Sequence, residues 1–264
     1  MIHWLRKAIL TMLAVVCFAV CISGCKSGEE QNSDPTNDVP LSDTTPVPDA
    51  EKDGEPGDSE PQEEKTEAGQ IESVYREGVE ETMCIFTSGG NNGTGFLYKE
   101  KYVVTNAHVL YDSDEFILKD VKGKEYSGSV VFSDDSTDIA IIQVDDYNGR
   151  SCTLGNSDTV SVGDQVVMIG NPADGDPFTL RTGTRLELDD ELQSLSYHGI
   201  SYIAMDADIS SGFSGGPVFN LNGEVIGISH AKYIGDLSAY GLDSLSFFIP
   251  INSVKEQIEL NLPE

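Results

Sequence analysis

The fold is decided by one stretch of the sequence, Asp206-Ala-Asp-Ile-Ser-Ser-Gly-Phe-Ser-Gly-Gly-Pro-Val-Phe-Asn220. Ser214 has a glycine two positions before it and at both positions after it, so the backbone can bend sharply around its hydroxyl. Such a loop would direct the N–H groups of Gly212 and Ser214 into one hollow, where they would stabilise an oxyanion. Taken alone, the stretch is more simply interpreted as a glycine-rich hairpin turn. A base and an acid elsewhere in the chain are needed before the stretch is better interpreted as a loop that carries a nucleophilic serine.

Two further stretches supply a base and an acid. His108 follows an apolar run in Val103-Val-Thr-Asn-Ala-His108, and Asp138 directly precedes the run Ile139-Ala-Ile-Ile142. A serine hydroxyl needs an imidazole to accept its proton, and the imidazole needs a carboxylate to fix its tautomer and stabilise its charged form. Each residue alone is typical of a structural histidine or of an acidic turn. Together with Ser214 they predict a Ser-His-Asp triad.

Short apolar runs separated by turn residues follow one another from residue 83 onward, and they predict an all-β barrel or sandwich. Helical periodicity at the two ends predicts a short helix over 70–81 and a C-terminal helix over about 252–262, with Ser253 and Glu256 as a capping box. The predicted strands are Met83–Phe86, Gly95–Tyr98, Tyr102–Thr105, Phe116–Leu118, Ser129–Phe132, Ile139–Val144, Gln165–Ile169, Thr179–Leu188, Tyr202–Asp206, Pro217–Asn220, Glu224–Ser229 and Ser246–Ile249.

Residues 1–24 are typical of an export signal. Arg6 and Lys7 precede an apolar run from Ala8 to Ile22, which is too short for a comfortable membrane span. The run ends in Ile22-Ser-Gly-Cys25, which resembles the lipobox of bacterial lipoproteins. The resemblance implies cleavage before Cys25 and acylation of that residue, and therefore a lipid anchor that holds the protein to a membrane outside the bacterial cytoplasm. An ordinary secretory signal with an incidental cysteine is the alternative.

Residues 25–69 are predicted to form a disordered tether. Residues 26–70 hold six prolines, 14 acidic residues against three lysines, and no aromatic residue, so they cannot bury enough apolar surface to fold. The whole chain carries 45 acidic against 16 basic residues, a formal charge of −29. This charge argues against a nucleic-acid partner and against docking on anionic lipid through basic residues.

The chain order His–Asp–Ser, with its surrounding residues, resembles the trypsin/chymotrypsin clan. More narrowly, roughly residues 70–260 resemble the protease domain of HtrA/DegP-type bacterial serine proteases. The resemblance implies two antiparallel β-barrels, about 82–150 and 160–250, in a protease domain over 70–264, with the site in the cleft between them. The shared stretches are Gly93-Thr-Gly-Phe96, Thr105-Asn-Ala-His108-Val, Thr137-Asp138-Ile-Ala-Ile-Ile, Leu154-Gly-Asn-Ser-Asp158, Val162-Gly-Asp-Gln-Val-Val-Met-Ile-Gly-Asn-Pro172, Gly212-Phe-Ser214-Gly-Gly-Pro and Val218-Phe-Asn-Leu-Asn-Gly-Glu-Val-Ile-Gly-Ile228.

The same resemblance implies a role for each site residue. His108 would be the general base, Asp138 its orienting acid and Ser214 the nucleophile, with the N–H groups of Gly212 and Ser214 as the oxyanion hole. The implied function is a membrane-tethered, extracytoplasmic serine endopeptidase that acts on polypeptides in protein quality control or processing, without a cofactor or a metal. The alternative is a catalytically weak, protease-like module that binds peptides or senses them. HtrA relatives often form trimers, but the residues responsible cannot be matched in this sequence.

Two features depart from the family pattern. Phe213 stands where trypsin-like zymogens carry an aspartate that pairs with a newly cut N-terminus, so activation by such cleavage is not expected. HtrA relatives usually carry asparagine at this position. Glu264 comes fifty residues after Ser214, so we expect that no peptide-binding PDZ domain follows.

The specificity pocket has three open interpretations. Asp208 lies six residues before Ser214, the spacing at which trypsin places the aspartate of its pocket floor, and this resemblance implies cleavage after Lys or Arg. Ser229-His230 lies on the strand expected to form the pocket wall, where the related glutamyl endopeptidases use a histidine to hold an acidic side chain, and this resemblance implies a preference for acidic residues. HtrA relatives usually have a small apolar residue at the position of Asp208, which predicts a small or apolar preference. Asp208 and His230 are also candidates to pair with each other.

His198 is predicted to lie in an exposed loop. Of the two cysteines after the signal, at positions 84 and 152, we expect two thiols rather than a disulfide.

Overall fold

Strands dominate the part of the chain that the computed structural model describes, which is residues 66–111, 113, 115–187, 202–235 and 237–262. All of these residues belong to one unit, Pro61–Glu264. The predicted signal, the lipidated Cys25, nearly all of the predicted tether and His198 lie outside the described residues. No helix in the described ranges is long and apolar enough to cross a membrane.

The first helix, α1 (Glu67–Gly78), begins three residues earlier than the sequence predicts. Thr66 caps its N-terminus, because its Oγ1 accepts a hydrogen bond from the Gly69 N–H at 3.3 Å. A 3₁₀ turn, Val79–Glu81, then leads into the first strand. The hydroxyl of Tyr75 donates to the carbonyl oxygen of Phe178 at 2.9 Å, so α1 is tied to the second half of the domain.

Seven antiparallel strands form the first sheet, in the order β5-β4-β1-β2-β3-β7-β6. Its edge strands β5 and β6 do not pair with each other within the described residues, so the sheet is a half-barrel. The strands are β1 Thr82–Thr87, β2 Asn92–Tyr98, β3 Tyr102–Thr105, β4 Phe116–Lys119, β5 Glu125–Tyr126, β6 Gly128–Asp134 and β7 Ile139–Val144.

The second sheet closes into a six-stranded barrel. Its order is β12-β9-β10-β11-β14-β13, and an additional β12–β13 pairing joins the two ends, while β8 pairs with β13 in parallel. The predicted all-β, trypsin-like double-barrel fold is thereby confirmed, with the first barrel only half formed. The strands are β8 Thr153–Leu154, β9 Gln165–Gly170, β10 Thr179–Leu186, β11 Ile203–Met205, β12 Pro217–Phe219, β13 Glu224–Lys232 and β14 Ser246–Pro250.

The second helix, α2 (Ile251–Asn261), starts directly after β14. Its N-cap is Pro250, which makes no side-chain capping bond, so Ser253 already lies in the first helical turn. The predicted capping box of Ser253 and Glu256 is therefore wrong. The apolar spacing that predicted the helix is confirmed, because Ile251, Val254 and Ile258 are the buried residues of α2.

One apolar cluster joins the two sheets and both helices. Phe96 and Ile141 from the first sheet and Ile169 and Phe219 from the second are almost fully buried in it. Since interiors are close-packed, this shared core fixes the position of one sheet against the other.

The same cluster holds the two buried free cysteines, Cys84 and Cys152, so the expectation of two thiols is confirmed. Burial raises the pKa of the Cys84 thiol to about 12 and that of Cys152 well above its usual value.

Candidate active site

His108 and Asp138 are brought together by two paired strands of the first sheet. His108 lies in a 3₁₀ turn, Ala107–Leu110, that follows β3, and Asp138 directly precedes β7. The β3–β7 register pairs Thr105 with Ala140, so the end of β3 and the start of β7 lie side by side. Asp138 has a φ of 53°, in the left-handed region that aspartate tolerates better than most residues.

The carboxylate of Asp138 is held by the ring and the backbone of His108. Nδ1 of His108 lies 2.8 Å from Oδ2 and 3.0 Å from Oδ1 of Asp138, and the His108 backbone N–H donates to Oδ1 at 2.9 Å. The side-chain amide of Asn106 donates to the Asp138 carbonyl oxygen at 3.0 Å. These bonds fix the imidazole against an acid that is only 6% exposed.

The Asp138 carboxylate is ionised, and its charge sets the tautomer of the imidazole. Burial raises the pKa of Asp138, but the neighbouring His108 and His230 outweigh it and hold that pKa well below its usual value. Because an ionised carboxylate can only accept hydrogen bonds, Nδ1 of His108 carries the donated proton. In the neutral ring Nε2 then has a free lone pair, as a general base requires.

Ser214 lies in the loop between β11 and β12 of the second barrel, and this loop is anchored to the first sheet through Thr94. Thr94 N–H donates to the Ser214 carbonyl at 2.9 Å, and Thr94 Oγ1 donates to the Gly212 carbonyl at 2.7 Å. The Asn171 N–H in turn donates to Thr94 Oγ1 at 2.9 Å. The loop therefore has a fixed position relative to the sheet that carries His108 and Asp138.

Gly212 and Gly215 have backbone conformations that require glycine. Their φ angles are 100° and 83°, and a Cβ at either position would lie 2.0 Å from an existing oxygen atom. Neither the Gly212 N–H nor the Ser214 N–H donates to an acceptor within the described residues. The two groups that the sequence assigned to the oxyanion hole are thus available to a ligand.

The hydroxyl of Ser214 is bonded to the second sheet and not to the imidazole. Its Oγ donates to the carbonyl oxygen of His230 at 3.2 Å, and no hydrogen bond joins it to His108 in the described structure. A serine hydroxyl moves between such partners by rotation about one single bond. The structure therefore holds the Ser214 hydroxyl in a resting orientation, away from His108.

His230 contacts Asp138. Its Nδ1 lies 2.9 Å from Oδ2 of Asp138, its ring stacks on Tyr202 with centroids 4.8 Å apart, and its edge meets His108 at 5.6 Å. The short distance to Asp138 is not a hydrogen bond, because the buried Nδ1 of His230 has no aligned partner. The sequence placed His230 and Ser229 on a pocket wall, and nothing in its spacing indicated the contact with Asp138. The neighbouring Ser229 side chain is buried, and its Oγ is also without a hydrogen-bond partner.

Asp208 forms an exposed ion pair with Lys232. Lys232 lowers the pKa of Asp208, and the Arg181 guanidinium, which donates to the Asp208 carbonyl at 3.2 Å, adds to the effect. The predicted pairing of Asp208 with His230 is therefore wrong. The placement of Asp208 in the specificity pocket stays a prediction. Lys232 already balances the charge of the Asp208 carboxylate.

Phe213 fills the core of the second barrel. Its side chain is fully buried, and a Cβ on Gly170 would lie 2.4 Å from its ring. The Arg181 guanidinium lies 5.8 Å from the centre of the same ring. The packing of this buried phenylalanine thus anchors the backbone directly before Ser214.

Comparison with known proteins assigns the same region to a protease family. The family model described as a trypsin-like peptidase domain matches residues 93–228, a range that contains His108, Asp138 and Ser214. A probable periplasmic serine endoprotease, DegP-like, of Halomonas elongata is 37% identical over 161 residues, which cover 61% of this chain and 33% of the relative. The chain thus spans about a third of the length of the curated relatives it matches.

Solved structures agree with this assignment. The HtrA-type protease AlgW with a tripeptide has a TM-score of 0.64 and 27% identity, covering 72% of this chain and 62% of AlgW. The Rv3671c protease of M. tuberculosis, in an inactive form, has a TM-score of 0.61 and 25% identity, covering 72% of this chain and 93% of that one. The predicted resemblance to HtrA/DegP-type proteases is confirmed by these matches.

Proposed function

Because the chain belongs to the trypsin-like peptidase family, we propose that it is a serine endopeptidase that cleaves polypeptides through an acyl-enzyme. The observation that carries the proposal is the paired His108 and Asp138, beside a loop whose Gly212 and Ser214 N–H groups have no acceptor. An ionised buried acid, a correctly protonated imidazole and two donors for an oxyanion are what acyl transfer requires. The chemistry needs no metal and no cofactor.

In the proposed reaction Ser214 is the nucleophile. Its Oγ turns from the His230 carbonyl toward His108 and attacks the scissile carbonyl carbon as Nε2 of His108 takes the proton. The Gly212 and Ser214 N–H groups stabilise the oxyanion, and Asp138 stabilises the imidazolium that forms. His108 then returns the proton to the leaving amine, and water releases the acyl group by the same steps in reverse order.

We also propose where the enzyme works. Residues 1–24 would direct export, lipidated Cys25 would anchor the mature protein, and residues 25–69 would act as an acidic tether between membrane and protease domain. The word "periplasmic" in the names of the DegP-like relatives supports a location in the bacterial cell envelope, outside the cytoplasm. A role in protein quality control or processing, and assembly as a trimer, stay predictions by family analogy.

A fluorophosphonate probe on the full-length chain tests the activity, because an activated serine displaces its fluoride and becomes phosphonylated. We expect labelling of the parent and no labelling of Ser214→Ala. The matched control is Ser211→Ala, which removes an exposed hydroxyl from the same loop and should label like the parent. Labelling that survives Ser214→Ala would contradict the assignment of the nucleophile.

A second candidate function is a peptide-binding or sensing module with weak turnover. The bond from Ser214 Oγ to the His230 carbonyl favours it, since a serine held there is not activated by His108. A peptide-library digest separates the two candidates. Defined cleavage products at many turnovers support the endopeptidase, whereas bound but uncut peptides support the module.

A further inference from the structure

The carboxylate of Asp138 faces two imidazoles, although a Ser-His-Asp triad uses only one. Nδ1 of His108 and Nδ1 of His230 lie 2.8 and 2.9 Å from the same oxygen, Oδ2 of Asp138. One ligand-type atom from each of the three side chains lies within 4.8 Å of the other two. The proposed reaction uses the backbone carbonyl of His230 but leaves its side chain without a role.

The Nδ1 atom of His230 is a buried polar atom that lies against a carboxylate but makes no aligned hydrogen bond. It is shielded from solvent and forms no aligned hydrogen bond, in spite of its distance of 2.9 Å from Asp138. Buried polar groups without a partner are uncommon and call for a physical explanation. Two side chains that bind one metal ion direct their lone pairs at the ion and not at each other. A close N···O approach without an aligned N–H fits that arrangement.

Both imidazoles are held in place by their surroundings. The His230 ring is stacked on Tyr202 with an angle of 9° between the planes, and the His108 ring is fixed through its backbone and side-chain bonds to Asp138. The His108 side chain is 35% exposed, so one side of the cluster is open to solvent. An ion has access to the cluster from that side.

We propose that a divalent transition-metal ion, with Zn²⁺ as the type case, binds His108, Asp138 and His230 and reversibly inhibits the peptidase. The inhibition rests on the proposed function, whereas the binding does not. Two imidazole nitrogens and a carboxylate oxygen are ligands that Zn²⁺ accepts, with a fourth position left for water. Tetrahedral ligands at zinc distances lie about 3.3 Å apart, so both Nδ1 atoms must move roughly 0.5 Å further from Oδ2 of Asp138 to complete the site.

The charge of the domain favours a cation at this position. Residues 71–264 carry 31 acidic against 11 basic residues. A strongly negative protein raises the local concentration of cations and their rate of association. The bound ion would draw His108 away from Asp138 and would oppose the positive charge that His108 must acquire, so Ser214 could not be deprotonated.

Co²⁺ titration of the full-length chain with Ser214→Ala measures binding without any reliance on activity, because Co²⁺ in a tetrahedral site gives strong visible absorption. We expect one equivalent to bind and Zn²⁺ to displace it. His230→Phe keeps a ring against Tyr202 but removes the ligand, so it should weaken binding by more than the 10–100-fold typical of losing an outer-shell partner. Tyr202→Phe, which keeps all three ligands and the stacked ring, is the matched control and should bind like the parent.

Fluorophosphonate labelling of the chain with Ser214 intact tests inhibition. Zn²⁺ should suppress labelling of the parent and a chelator should restore it, whereas His230→Phe, at whatever rate it labels, should be insensitive to Zn²⁺. If circular dichroism shows that His230→Phe is unfolded, His230→Gln removes the same imidazole ligand and takes its place in the test. Absence of Co²⁺ binding, or binding that neither His230 variant weakens, overturns the site. Binding without any labelling leaves the site standing and refutes the peptidase instead.

Discussion

Thr94 links the first sheet to the Ser214 loop through its backbone N–H and its hydroxyl. The residue is fully buried in β2, and its Oγ1 donates to the Gly212 carbonyl at 2.7 Å while accepting from the Asn171 N–H at 2.9 Å. Thr94→Val replaces the hydroxyl by a methyl group of similar size. The substitution therefore removes two hydrogen bonds without leaving a cavity.

The cost follows from the two backbone groups, the Gly212 carbonyl and the Asn171 N–H, that each lose one hydrogen bond. The two groups keep a longer bond of 3.3 Å to each other, so neither is left without a partner. A buried hydrogen bond contributes about 1 kcal/mol net. We expect Thr94→Val to lower the free energy of unfolding by about 2 kcal/mol. Thr94→Ser keeps the hydroxyl and should lose only about 1 kcal/mol, for one buried methyl group.

Urea unfolding of the parent and both variants measures these differences, and the fluorophosphonate labelling rate reports on the loop. Thr94→Val should be the less stable variant and should label more slowly than Thr94→Ser, because the Gly212 carbonyl is no longer anchored. Equal stability of the two variants would refute the reasoning. So would labelling of Thr94→Val at the rate of the parent.

Three further predictions test the loop, the pocket and the acid. Gly212 and Gly223 both have positive φ, of 100° and 79°, but a Cβ meets a carbonyl oxygen at 2.0 Å only at Gly212. In urea unfolding Gly223→Ala should therefore cost only left-handed strain, about 1–2 kcal/mol, and Gly212→Ala clearly more; equal costs would contradict the steric argument. Lys232→Ala uncovers the Asp208 carboxylate and should shift a peptide-library digest toward cleavage after Lys and Arg, whereas an unchanged digest would exclude Asp208 from the pocket. The neighbouring His108 and His230 hold the folded-state pKa of Asp138 well below the usual aspartate value of about 3.9. Its ionisation therefore stabilises the fold above that pH, and the stabilisation is lost as the pH falls through about 3.9 toward the folded-state pKa. The stability difference between the parent and Asp138→Asn should shrink below about pH 4, and a difference that stays constant down to pH 3 would refute this.

The strand pattern was predictable because most strands carry their own local signal. Alternating or continuous apolar runs bounded by Gly, Asn and Asp predicted twelve strands, each of which overlaps an observed one. The strands that were missed, Glu125–Tyr126 and Thr153–Leu154, are two residues long and exist only through pairing with β4 and β13. No periodicity can be read from two residues. The half-open state of the first sheet was also out of reach, because its edge strands β5 and β6 are separated by one residue in the chain and nothing in their sequence indicates that they do not pair.

The candidate site residues could be identified in the sequence where their immediate neighbours constrain them, and their catalytic roles stay predictions. His108 follows a buried strand, Asp138 precedes one, and Ser214 is surrounded by glycines, so each has a signal within a few residues. The position of His230 depends on a bulge in β13 between Ser229 and Ala231, which interrupts the alternation of side chains across the strand. A one-residue shift of this kind changes the face that a side chain occupies, and the sequence gives no sign of it.

His230 connects the nucleophile and the acid through two different groups. Its backbone carbonyl accepts from Ser214 Oγ, and its imidazole lies against Asp138, so a single residue of β13 contacts side chains from both sheets. A substitution of its side chain leaves the carbonyl in place. The resting orientation of Ser214 and the proposed inhibition by a metal ion are therefore separable, because His230→Phe removes the ligand but retains the acceptor. If His230→Phe both abolished the sensitivity to Zn²⁺ and accelerated labelling in metal-free buffer, the imidazole would restrain Ser214 as well. An unchanged metal-free rate would assign the resting orientation to the backbone of β13 alone.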